Sequence, residues 1–208
     1  MALPRLGALV LAALAVETAR PVSFAQREEA CRENNMGVAL LEQFHPEEAA
    51  ARFRRALEID RGLAIAQLNL AVALLNVPDL EGARKEATKA AERLPESLQA
   101  LYVLGLVAKS DNRVEDAILA FSQVLAKDPA DVGAHVNRGQ LHLQARRYEE
   151  AIADFRGALA AESYNGTALY NLGLALTRSG RREEGQKALE SFQEAKRAYK
   201  AKRRAQSS

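Results

Sequence analysis

Gly37, Gly105, Gly139 and Gly173 fall on one lattice with a step of 34 residues, and Ala71 fills its remaining slot. The same step aligns Ala49, Ala83, Ala117, Ala151 and Gly185, and again Ala56, Ala90, Val124, Ala158 and Phe192. Small residues at fixed phases let neighbouring helices approach closely, so what repeats is a packing unit and not a catalytic one. A period of a few tens of residues implies a quasi-linear stack in which each unit contacts only its neighbours.

Within residues 98–131, Leu101, Leu104 and Ala108 form one helical stripe, and Val114, Ala117, Ile118, Phe121, Val124 and Leu125 form a second. Between them, Ser110, Asp111, Asn112 and Arg113 favour a turn, because short polar side chains compete with the helical backbone. Pro129 ends the second helix. The chain therefore divides into helix-turn-helix units at 30–63, 64–97, 98–131, 132–165 and 166–195, with Pro95 and Pro129 equivalent and Arg61 and Ser163 in their place elsewhere. Alanine and leucine dominate the 48% hydrophobic content, which with 27% charge excludes a disordered chain and a membrane bundle. The last helix, from about Arg182, meets no proline or glycine after Gly185 and is expected to run on as a polar cap.

The segments MGVALL with FHPEEAAARFRRALEID, LGLVAK with NRVEDAILAFSQVLAKDP, and RGQLHL with RRYEEAIADFRGALAAE resemble the tetratricopeptide repeat family. The resemblance covers Ala30 to about Gln193 and implies an all-α, right-handed solenoid of five repeats that binds a protein or extended peptide in its concave groove. Two departures stand out. The tryptophan often found early in the first helix is replaced by Glu33, Gln67, Leu101, His135 and Leu169, and unit four carries Arg138 and His142 where its siblings are apolar.

The resemblance places the first helix of each unit along the groove. Asn35, Asn69, Asn137 and Asn171 would then form a ladder of amides able to grip a peptide backbone, with Leu68, Val72, Tyr102, Leu106, Tyr170 and Leu174 supplying burial. The same asparagines also suit ordinary solvated helix positions. Few basic residues line the groove, which does not match relatives that clamp a C-terminal carboxylate with several lysines and arginines.

No nucleophile elbow, glycine-rich phosphate loop or paired carboxylate motif is present, so no catalytic residue and no cofactor are expected. His135 and His142 share a helix side with Arg138 between them, an arrangement that suits a polar patch paired to Asp116 or Asp154 better than a metal site. Asn165-Gly166-Thr167 matches a glycosylation acceptor, yet lies where a turn is sufficient. Cys31 is the single cysteine, so no internal disulfide can form.

The two ends differ in chemistry. Arg5 precedes an apolar run from Leu6 to Val16, with Ser23 and Ala25 beyond it, which is the layout of a signal peptide over residues 1–25 and predicts export. A helix docking on the first repeat is the alternative. At the other end, residues 196–208 hold Lys196, Arg197, Lys200, Lys202, Arg203 and Arg204 with no acid. Those six charges, against a whole-chain net of +2, leave the remainder at −4. Contact with nucleic acid or an anionic membrane is therefore expected only through the tail, and nucleic-acid binding is disfavoured because Tyr199 is its one aromatic.

Overall fold

The computed structural model describes residues 21–206. Ten helices follow one another: α1 (Phe24–Glu42), α2 (Pro46–Ile59), α3 (Ala64–Asn76), α4 (Leu80–Arg93), α5 (Leu98–Ser110), α6 (Val114–Lys127), α7 (Val132–Gln144), α8 (Tyr148–Ala161), α9 (Gly166–Arg178) and α10 (Arg182–Gln206). Each odd helix pairs with the even one after it, each pair packs on the next, and the described residues hold no strand. The expected all-α solenoid of five units is what forms.

Local chemistry fixes the helix starts. Every first helix but α3 takes a side-chain N-cap: Ser97 accepts from Ala100 N, Asp131 from Ala134 N and Asn165 from Ala168 N, whereas Leu63 before α3 has none to offer. Asn165 thus serves as a cap. Even helices open with acids that complement the helix dipole, such as Glu47 and Glu48 or Glu149 and Glu150, and α4 adds a cap from Asp79 to Gly82 N. The turns inside units one, three, four and five pass through the left-handed region at Phe44, Asn112, Arg146 and Gly180, which share one phase of the 34-residue lattice. Of these four, only Asn112 and Gly180 adopt it cheaply.

The glycine lattice has a single cause. A Cβ on Gly37, Gly105 or Gly139 would lie 2.5, 2.8 or 2.7 Å from the rings of Phe53, Phe121 and Phe155. Each ring is fully buried, and deleting such a side chain typically costs about 3–5 kcal/mol. Unit two solves the same problem differently: Ala71 replaces the glycine and Ala87 the phenylalanine, both fully buried. In unit five Leu189 lies 2.7 Å from the Cβ that Gly173 lacks.

One feature departs from expectation at the N-terminus. The first helix begins at Phe24, two turns before Ala30, because Ser23 and Gln26 form a reciprocal capping box. The apolar run Leu6–Val16 lies outside the described residues. At the other end α10 continues to Gln206, as the absence of breakers implied. No helix among the described residues is long and apolar enough to cross a membrane.

Candidate functional site

The first helices line one face of the stack, and α1–α3, α3–α5 and α7–α9 approach one another closely along it. Between α5 and α7 the side chains do the bridging. Lys109 on α5 reaches across to Asn137 Oδ1 at 2.7 Å and Gln140 Oε1 at 2.6 Å, while Asn137 Nδ2 donates to the Tyr102 hydroxyl at 3.0 Å and to Gly133 O at 2.9 Å. Tyr102 stacks edge-on against Phe121 with ring centres 5.4 Å apart. Its hydroxyl sits where a side chain at residue 133 would be, 2.6 Å from the Cβ that Gly133 lacks. A cavity of about 380 Å3 opens beside this cluster, lined by Leu98, Gln99, Tyr102, Val103, Asp131 and Gly133.

Burial governs the electrostatics. The Lys109 ammonium has neutral oxygens as hydrogen-bond partners, and desolvation pulls its pKa below the ordinary lysine value. The Tyr102 phenol is pushed up, first by burial and then by nearby Asp131, with the hydrogen bond from Asn137 opposing both. The groove centre is therefore a half-buried cation framed by amides and a neutral phenol.

The asparagine positions do not behave alike. Asn137 spends both amide hydrogens and its oxygen on neighbouring side chains and its own helix, so it ties units three and four together. Asn69 Nδ2 donates to Asn34 Oδ1 at 2.9 Å, which links units one and two. Asn171 Nδ2 donates to Thr167 O, one turn back on its own helix, and Asn35 is exposed. Among the apolar members, Leu68 is 4% exposed and belongs to the core, so it offers a ligand almost no surface. Val72, Leu106 and Leu174 are half-buried, and Tyr170 is 45% exposed with its ring tilted against Phe192. Reasoning from the repeat missed Lys109 as the hub of the cluster and Gly133 as the vacancy that seats Tyr102; the one-step departure from Gln99 to Gly133 was the available signal.

Unit four buries a charged cluster. Asp154, 2% exposed, takes Arg138 Nε at 3.0 Å on one oxygen and Arg138 Nη2 at 2.6 Å on the other, with His135 Nδ1 3.0 Å from the latter. Arg138 Nη1 donates to Ser122 Oγ, and His135 Nε2 faces Pro129 O at 3.0 Å. Asp154 is therefore the partner that the sequence left open between it and Asp116, which pairs with Arg113. His142 contributes little, its Nε2 3.8 Å from Asp154 and its Nδ1 buried without a partner. Among the described residues no group of histidine, cysteine and carboxylates is placed to hold a metal.

Lys196, Arg197, Lys200, Lys202 and Arg203 are exposed along the end of α10, and Arg204 falls on the same helix. Lys196 lies 6.0 Å from the Phe192 ring centre.

The family model described as Tetratricopeptide repeat matches residues 34–97, 79–132, 102–165 and 136–203. Human Protein O-mannosyl-transferase TMTC3 is 26% identical over 149 residues, covering 70% of this chain but only 16% of that protein. MamA from Desulfovibrio magneticus RS-1 superposes with a TM-score of 0.75 at 20% identity, over 82% of this chain and 97% of that one. YrrB, described as a TPR protein with an unusual peptide-binding site, gives 0.67 at 20% identity, over 88% and 94%. Stacked helix pairs, a lattice of glycines under buried rings and a match running through four overlapping stretches agree: the chain belongs to the tetratricopeptide repeat family.

Proposed function

We propose that the protein is a non-catalytic scaffold that holds an extended segment of a partner protein against the inner face, centred between α5 and α7. The fold is one that serves protein–protein interaction. The observation that carries the finer reading is the Tyr102–Asn137–Lys109 cluster beside its cavity. It presents a flat ring with a polar tip and a cation without a carboxylate partner among the described residues, both held in place before any ligand arrives. Preorganised groups of this kind lower the entropic cost of binding, and tyrosine is over-represented among residues that dominate interfaces. A segment offering an acidic residue to Lys109 and an apolar one to the cavity fits best.

Affinity capture with the intact array, with Tyr102→Ala plus Lys109→Met, and with Asn69→Ala plus Asn137→Ala tests this reading. A protein lost from the first variant, whose excised segment binds the purified array, establishes the groove. Equal recovery from all three refutes it. Loss from the asparagine variant alone, with its unfolding midpoint unchanged, restores the amides as ligand contacts.

A second reading, an array serving a larger enzyme or envelope complex, is favoured by the match to a small share of a human transferase. Charge-driven contact through residues 196–208 is the third, and deleting them separates it from groove binding. We also propose that the chain is exported and cleaved after Ala25. The first buried residue of α1 is Ala30, so among the described residues cleavage after Ala25 takes away no core. Amino-terminal sequencing of the mature protein checks this, and an intact Met1 in the envelope fraction refutes it.

A further inference from the structure

A second cavity, about 580 Å3, lies on the opposite side of the stack, between α2 and α4 and over the first turns of α3. Leu57 and Leu70 give it apolar walls, and Arg54, Arg61 and Arg93 stand around it. Its other charges are already used: Glu58 pairs with Arg55 at 3.0 Å and Glu86 with Lys89 at 2.8 Å. Among the described residues none of the three guanidinium groups has a carboxylate partner; Arg93 donates to the Arg61 carbonyl. Three cations with no counter-ion around one concavity raise the local potential for anions.

At the base of this cavity Gln67 is 5% exposed, and its Oε1 is wholly buried without a hydrogen-bond partner. Leaving such a group unsatisfied costs about 1–3 kcal/mol, and most folds avoid it. The repeat had an apolar option, since units three and five carry Leu101 and Leu169 here. The polar alternatives in units one and four are both matched, Glu33 by Arg52 at 3.1 Å and His135 by Asp154. Arg61 is likewise a departure, standing where units two and three have Pro95 and Pro129. Two departures from the repeat therefore meet in one cavity, and neither has its chemistry completed within the chain.

We propose that this outer cavity is a second docking site, which takes an acidic peptide segment: its carboxylates meet Arg54, Arg61 and Arg93, and a backbone N–H donates to Gln67 Oε1 once the side-chain amide turns over to bring that oxygen to the cavity. A peptide group supplies both a donor and an acceptor, which is what a side-chain amide needs whichever way it is turned. A sulfate dianion satisfies the guanidinium groups but has no hydrogen to give the buried oxygen. The site is independent of the inner face and of whatever occupies it.

Titrating isotope-labelled full-length protein with an end-capped pentapeptide of alternating glycine and glutamate, and following side-chain amide and guanidinium NMR signals, tests the proposal. The expected result is a shift of the Gln67 amide and of the three arginine Nε–H signals. Gln67→Leu, which installs the residue of units three and five, weakens that binding at least tenfold, and Arg54→Gln with Arg61→Gln, exposed and compatible with the fold, does the same. Inorganic sulfate moves the arginine signals without moving Gln67. Unchanged affinity in the Gln67→Leu protein overturns the proposal, as does equal binding of a glycine-lysine peptide. A full response to sulfate alone, Gln67 included, reassigns the cavity to a small oxyanion.

Discussion

Gln67 and His135 occupy the same position of the repeat, and each faces the residue nineteen places further on: Glu86 in one unit, Asp154 in the other. His135 bonds to Asp154 and to Pro129 O, and Arg138 closes the remaining valences of the carboxylate. In unit two the carboxylate turns to Lys89 and Gln67 keeps an orphan oxygen. Units three and five avoid the question with Leu101 opposite Ala120 and Leu169 opposite Ala188. A polar pair at one site can thus be a fastener or an unfinished socket, and the difference lies in the third residue that each recruits.

The largest effect is expected from Asp154→Ala, which strands Arg138 and His135 inside the stack. Urea unfolding should show a loss of about 3–5 kcal/mol, and a loss below 1 kcal/mol would mean that the cluster opens to water. Gly157→Ala comes next. Its new Cβ would stand 2.5 Å from His135 Cε1, so the ring must leave Asp154, at a cost of roughly 1–3 kcal/mol. Gln67→Leu should act in the opposite direction, raising stability by about 1 kcal/mol as the orphan oxygen is removed; a decrease would show that Gln67 has a partner in solution and blur the contrast between the two units.

Acid gives the smallest effect, and His142 is its source. Burial first, then repulsion from Arg138, hold its imidazole below the ordinary histidine value of 6.5, with Asp154 opposing both. The fold prefers the neutral ring, so the unfolded chain binds the proton more readily. Its contribution is full above that ordinary value and is lost as pH falls through and below it. Thermal midpoints should therefore drop between pH 8 and pH 5, and His142→Leu, the residue at this place in units one, two and five, should flatten that slope.

Much of this architecture was legible in the chain itself. Gly37, Gly105 and Gly139 announced close helix packing because a period of 34 survives every insertion-free unit, and the turn at Ser110–Arg113 fell where α5 gives way to α6. The start of α1 was not legible in the same way: Ser23 and Gln26 spell a capping box, but Ser23 and Ala25 also suit a peptidase, and sequence alone does not rank them. The groove was half legible. The family resemblance could place Tyr102 on the inner face, yet that Asn137 is consumed by Lys109 and Tyr102, and that Leu68 turns inward, depends on how the helices pack. Spacing fixes which face a residue joins; it does not fix what that residue has left to offer.

The final helix carries its own lesson. Among the side chains described, Phe192 and Ala195 are the last half-buried ones of α10, and the helix continues from Lys196 to Gln206. At the usual helical rise that stretch reaches about 15 Å beyond its last packed turn, farther than the roughly 8–10 Å over which physiological salt lets charges feel one another. The body's negative charge is too distant to neutralise the tip. The molecule therefore presents two electrically separate objects on one rod, and a partner approaching from that end meets a cationic antenna before it meets any repeat.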